Sequence, residues 1–174
     1  MGIDFHTYSL KITDGAEVPA TGEYQVMASS LKSHRHRKGE ILAFLLDRKN
    51  SSAIPESELR KINSEAGKAF FETPGSVTNA LQRAAGSINS ALLERNLKAE
   101  SGEPVYEDAC FVVVHNGYLF TAQTGGSHIL EMGNDAFIHF QSADTNDRGL
   151  GAARRFTLNF QQSALAAGDL VILS

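Results

Sequence analysis

One cysteine, no tryptophan and four prolines in 174 residues remove several possibilities at the outset. A lone Cys110 excludes an intrachain disulfide framework and a cysteine-rich zinc site. Beside the apolar run Phe111-Val112-Val113-Val114 it reads as a buried core thiol and not as a nucleophile. Positive charge is also in short supply: Lys and Arg number 16 against 20 Asp and Glu, a net charge of −4, so no nucleic-acid partner is expected. No apolar stretch approaches the ~20 residues that span a bilayer, so no transmembrane segment is expected. The first ten residues include Asp4 and His6 and have no apolar signal core, which makes the cytoplasm the expected compartment. Internal repeats and low-complexity segments are absent.

What is there is an ordinary globular composition, 42% hydrophobic and 21% charged. The length suits a single domain over residues 1–174 with a sizeable core. The clearest pattern lies between Asp108 and Leu173. Phe111–Val114 leads through His115-Asn116-Gly117 to Tyr118–Ala122, and Thr124-Gly125-Gly126-Ser127 then leads to His128–Met132. Strand, Asn-Gly turn, strand, glycine corner and strand predict a β-meander. Phe156–Phe160 reads as a further strand, and Leu170–Leu173, after Gly168-Asp169, as a closing one.

Upstream, residues 3–13 and Glu23–Leu31 read as strands, and Glu40–Leu46 as a strand buried on both faces. Asp47 at its end is either a turn-former or a ligand or metal carboxylate. Pro55 suits a first helical position, and Leu59, Ile62, Ala66, Ala69 and Phe70 form one helical stripe. After Thr73-Pro74-Gly75, Ser76 caps a second helix to about Leu97, whose stripe includes Val77, Ala80, Leu81, Ala84, Ile88, Ala91, Leu92 and Arg95. About eight strands in two groups around a central antiparallel helix pair predict an α+β fold in which the helices stack on sheet layers.

The one cationic cluster, Lys32-Ser33-His34-Arg35-His36-Arg37-Lys38, reads as a solvated hairpin tip or as an anion clamp, with Arg35 and Arg37 gripping phosphate oxygens. His34 and His36 would share a face of a strand, without an evident third metal ligand.

The order of these elements resembles the PPM-type (type 2C-like) metal-dependent Ser/Thr protein phosphatases. Leu42–Leu46 with Asp47 resembles the family's first metal strand, Tyr118–Leu130 the strands around its Gly-Asp-Ser corner, and Gly168–Ser174 the strand leading to its late Asp-Gly. The resemblance covers about residues 23 to 174. It implies a β-sandwich with flanking helix pairs, the α-β-β-α arrangement, of which this chain would hold an incomplete version. The departures are specific. Arg48 stands in place of the glycine that follows the first metal Asp, and its cation would oppose metal binding. Gly126 replaces the corner Asp, no Asn-Glu-Asp motif occurs near Glu23–Leu31, and Ser174 falls just before the late Asp. Asp47 alone cannot hold two divalent cations. Glu107, Asp108, Asp144 and Asp147 read as solvated acids of a linker and a polar loop.

The resemblance therefore implies a phosphatase-like domain without catalytic residues. It would need no cofactor and would bind or regulate a protein or phosphoprotein partner. The alternative is an active Mg- or Mn-dependent phosphatase completed by residues beyond Ser174, with Arg35 and Arg37 on the phosphate. A third reading discards the resemblance and leaves an α+β binding domain that uses the basic tip. A chain ending on an apolar strand would leave a sheet face or edge to be covered, so a homodimer is also expected.

Overall fold

The structure is a computed structural model that describes residues 5–18, 22–48, 54–98, 103–133, 136–142 and 147–174. Its elements are β1 (Lys11–Thr13), β2 (Ala16–Val18), β3 (Tyr24–Ala28), a 3-10 turn (Arg35–Arg37), β4 (Ile41–Arg48), α1 (Glu56–Glu72), α2 (Val77–Lys98), β5 (Glu107–His115), β6 (Tyr118–Thr124), β7 (His128–Met132), β8 (Phe137–Gln141), β9 (Asn159–Ala164) and β10 (Leu170–Leu173). All pairings are antiparallel. A five-stranded sheet has the order β3-β4-β5-β6-β9, a three-stranded sheet the order β10-β7-β8, and β1 with β2 forms a small ribbon.

The predicted α+β class and the helix pair hold. Val77 begins α2 after Ser76, whose Oγ accepts the Asn79 amide at 3.2 Å, the expected cap. α1 begins one residue later than the proline signal suggested, with Pro55 as its N-cap. The alternation of β4 sorts its side chains to two faces. Leu42, Phe44 and Leu46 join Ala109, Phe111 and Val113 of β5 under Leu59, Ile62 and Phe70 of α1 and Leu81, Ile88 and Leu92 of α2. Phe44 and Phe111 lie with ring centroids 5.5 Å apart. This is the main core, and the alanines of α2 bring the helix pair close to the sheet.

The other face of the five-stranded sheet meets the three-stranded one. Cys110, Ile129 and Phe140 are buried there, with Leu45, Ile138, Val171 and Leu173 around them. Burial pushes the Cys110 thiol up to about 12, in keeping with an inert core thiol. Ser163 Oγ donates to Glu131 Oε2 at 2.6 Å and ties β9 of one sheet to β7 of the other. The layers thus run helices, sheet, sheet. Among the described residues no helix lies on the outer face of the three-stranded sheet, where Phe137, Leu170, Met132 and Ile172 are exposed.

Five expectations are corrected. The meander is split: β6 pairs with β5 and β9, whereas β7 pairs with β8 and β10, so Thr124–Ser127 carries the chain from one sheet to the other. Gly125, at φ 73°, supplies the backbone conformation for that step. The strand expected at Phe156–Phe160 is displaced to Asn159–Ala164, and that expected at 3–13 is reduced to Lys11–Thr13. The basic tip is a 3-10 turn. Finally, Glu107 and Asp108 are not linker acids: both lie on β5, 1% and 6% exposed.

Candidate functional site

β4 and β5 carry the chemistry at both of their ends. β4 runs eight residues, so its ends lie roughly 23 Å apart at about 3.3 Å per residue. Acids gather at one end and cations at the other.

At the acidic end Asp47 lies directly across from Asp108, and Arg48 across from Glu107. Asp47 follows Leu45 by two residues, and Asp108 precedes Cys110 by two. Leu45 and Cys110 both pack between the sheets, so the two aspartates share the inter-sheet face. Arg48 and Glu107 take the helix-facing side, where Arg48 Nε meets Glu107 Oε1 at 3.2 Å. The Arg48 guanidinium is thus engaged on the other face by a carboxylate of its own. Burial raises the Glu107 carboxyl to about 7, more than the neighbouring Arg48 lowers it.

The sheet-switching corner closes over Asp108. A Cβ placed on Gly125 would fall 1.8 Å from Asp108 Oδ1, one on Gly149 2.8 Å from the same oxygen, and one on Gly126 3.0 Å from Asp108 Oδ2. The first two distances are shorter than real Cβ atoms show and the third is tighter than most, so the three glycines make a close-fitting cradle for one carboxylate. Asp147 holds the cradle together. Its Oδ2 accepts from Thr124 Oγ1 at 2.9 Å and from the Gly125 amide at 2.8 Å, and its Oδ1 accepts from the Gly149 amide at 3.0 Å. Ser127 Oγ donates to the Ala109 carbonyl at 3.0 Å. Asp147 was expected to be a solvated loop acid and is a structural one. Asp144 and the residues just after Arg48 lie outside the described residues.

Two divalent cations require a set of oxygen ligands. The inter-sheet pair Asp47 and Asp108 supplies two carboxylates, and Asp147 is occupied by the corner. Among the described residues no three His, Cys, Asp or Glu side chains are grouped so as to hold a metal ion. The residues described do not fit a two-metal centre.

At the opposite end the basic turn, the α1–α2 loop and the β5–β6 turn converge. Arg35 and Arg37, predicted together as a phosphate fork, separate here. Arg37 is 2% exposed, with Nη1 3.2 Å from Glu40 Oε2, Nη2 donating to the Gly75 carbonyl, and its guanidinium 5.5 Å from the Phe70 ring centroid. Glu40, fully buried, also meets His115 Nδ1 at 2.9 Å. Its carboxyl is raised to about 7 by burial, against the lowering effect of Arg37. Arg35 stays at the surface. Sequence reasoning missed Glu40 and His115, because only the β4–β5 register brings residues so far apart in the chain together.

These layers, helices on a five-stranded sheet on a three-stranded sheet with an acid at the end of the central hairpin, define a class of α+β sandwich. Solved structures narrow that class to one fold. The Streptococcus agalactiae Ser/Thr phosphatase superposes with a TM-score of 0.65 at 14% identity, covering 95% of this chain and 77% of that one. The catalytic domain of the Ser/Thr protein phosphatase PstP, solved with two manganese ions, gives 0.62 at 19% identity, covering 90% and 71%. The Pseudomonas aeruginosa protein PppA, described as a regulatory component of a secretion system, gives 0.54 at 12%, covering 88% and 77%. No protein-family model and no curated protein matches the sequence. The chain has the fold of the PPM-type phosphatases, and at these identities it is the fold that is established.

Proposed function

We propose that this chain is a phosphatase-fold domain that acts as a non-catalytic binding or regulatory module for a protein or phosphoprotein partner. The observation that carries this reading is the glycine cradle. Where the phosphatase corner is expected to project an acid, Gly125, Gly126 and Gly149 enclose the side chain of Asp108. An acid at Gly126 would set a second carboxylate against Asp108, whose Oδ2 lies 3.0 Å from the position of a Cβ there. Among the described residues at this end of the inter-sheet face this leaves the pair Asp47 and Asp108, too few ligands for the charge and coordination of two cations.

The carboxylate pair favours a second reading, in which Asp47 and Asp108 supply part of a Mg or Mn centre completed by residues outside this chain. The two are separated by incubating the protein with Mn²⁺ and either p-nitrophenyl phosphate or a phosphoserine peptide. The expected result is no metal-dependent hydrolysis above that of a heat-denatured control. Hydrolysis that requires Mn²⁺ and disappears in Asp47→Ala would replace the first reading with the second.

A further inference from the structure

The basic end of the hairpin holds a cleft of about 620 Å³ whose lining includes Arg35, His36, Lys38, His115 and Asn116. Its far wall is the start of α2, Ser76 and Val77. No lining residue is acidic. Glu40, fully buried, faces two of the lining residues, Arg37 and His115.

The floor is rigid and the rim is charged. Arg37 is fixed by Glu40, Gly75 and Phe70, which sets the 3-10 turn against the α1–α2 loop. The Gly75 amide donates to His36 Nδ1 at 3.0 Å. That bond makes Nδ1 the acceptor, so the proton of a neutral His36 sits on Nε2. His115 is held with the opposite roles: Nδ1–H donates toward Glu40 Oε1 at 2.9 Å, and Nε2 accepts from Asn116 Nδ2 at 3.0 Å. Arg35 and Lys38, both exposed, form no ion pair among the described residues. His34, beside the cleft, has its pKa lowered first by burial and then by the nearby positive groups His36, Arg35 and Arg37.

We propose that this cleft binds a phosphoryl dianion, as a phosphorylated Ser or Thr side chain of a partner. The charge balance selects the class. Two unpaired cations, Arg35 and Lys38, match the −1.5 to −2 charge that a phosphomonoester carries at about pH 7, whereas a carboxylate would neutralise only one. The donors suit three oxygens: a guanidinium fork, an ammonium and the His36 Nε2–H. Ser76 and Val77, at the start of the 22-residue α2, line the cleft, so the positive end of that helix adds to the field there. Arg37 is a positioning residue. The cleft lies at the far end of β4 from Asp47, so this binding is independent of whether any metal occupies the Asp47 corner.

The test is a titration of the intact chain, in EDTA, followed by amide NMR. The probes are a phosphoserine peptide, its unphosphorylated form, inorganic phosphate, and vesicles containing phosphatidic acid. The phosphopeptide is expected to shift the amides of Arg35–Lys38, Val77 and Asn116. Arg35→Ala with Lys38→Ala is expected to weaken it by more than about tenfold. Inorganic phosphate binding as tightly as the peptide keeps the site and makes the free ion its ligand. Equal affinity for the unphosphorylated peptide, resonance changes confined to the Asp47–Asp108 end, or preference for the vesicles overturns the proposal. The wild-type titration map decides between these outcomes even if the double variant fails to fold.

Discussion

Asp47 and Asp108 face each other directly across β4 and β5 on the side of the sheet that meets the second sheet. Like charges in register on neighbouring strands destabilise a sheet. The corner has been shaped around this pair, three glycines giving way to the Asp108 carboxylate.

The first prediction follows from that cradle. Gly126→Asp restores the acid typical of a phosphatase corner and sets it against Asp108 Oδ2, which already lies 3.0 Å from the position of a Cβ. The variant is expected to lose about 1–3 kcal/mol of stability in EDTA. Removing the competing charge with Asp108→Asn in the same chain should recover part of the loss. Chemical denaturation of the two single variants and the double checks this, and a Gly126→Asp protein as stable as wild type would refute the crowding.

Burial of carboxyls makes stability depend on pH in an unusual direction. Glu107 and Glu40 both titrate at about 7 in the folded chain against 4.5 for the free group, burial being the main cause in each. Between those values the folded protein holds protons that the unfolded chain releases. Their contribution is therefore complete below about 4.5 and is lost as pH rises through about 7. The melting temperature is expected to fall between about pH 5 and 8. Glu107→Gln, whose amide oxygen can still accept from Arg48, should flatten the profile. The effect is at most about 3 kcal/mol, since a tenfold change in proton affinity corresponds to about 1.36 kcal/mol. A profile that rises with pH, or one that Glu107→Gln leaves unaltered, would contradict this assignment.

Gly67 of α1 packs directly against Met27 of β3. A Cβ there would fall 2.0 Å from Met27 Sδ on β3. Gly67→Ala gains about 1 kcal/mol of helix propensity and forces Met27 aside, a cost of about 1–3 kcal/mol in a packed core. The net effect expected is a loss of up to about 2 kcal/mol. With Met27→Ala in place the clash disappears, so the same Gly67→Ala change should become neutral or stabilising. A double-mutant cycle that comes out additive would show that the two residues do not touch in solution.

Much of this architecture was legible because its signals are local. The Asn116-Gly117 turn, both at positive φ, the Ser76 cap and the apolar faces of α1, α2 and β4 each follow from residues near one another in the chain. What was not legible depends on register. Glu107 and Asp108 follow a polar stretch and resemble its continuation, and only their pairing with Arg48 and Asp47 makes them buried strand residues. Arg35 and Arg37 look equivalent in sequence, yet a 3-10 turn sends one to solvent and the other under Phe70. The glycine corner looked like a hairpin turn because nothing local distinguishes turning back within a sheet from crossing to another.

Asn89 and Asn96 are a further case, and yield the last prediction. Both lie on α2, a helix read as an apolar stripe, and both turn toward the sheet end. Asn89 Oδ1 accepts from the Gly151 amide at 2.8 Å and its Nδ2 donates to the Ala153 carbonyl at 3.0 Å. Asn96 accepts from the Val105 amide at 2.8 Å and donates to the carbonyls of Val105 and Gly151, at 2.9 and 3.0 Å. The two amides thus serve as the backbone partners of an irregular segment that ends beside the Asp108 cradle, where Leu150 bridges to Glu107. Truncating Asn89, 3% exposed, leaves the buried Gly151 amide unmet, so Asn89→Ala is expected to cost about 1–3 kcal/mol. Asn89→Asp retains the acceptor for Gly151 and loses the donor for Ala153, and should fall between. Hydrogen exchange at the Gly151 amide distinguishes a clamp from general packing: it should accelerate strongly in Asn89→Ala and little in Asn89→Asp. Equal exchange in both variants would remove the clamp from the account.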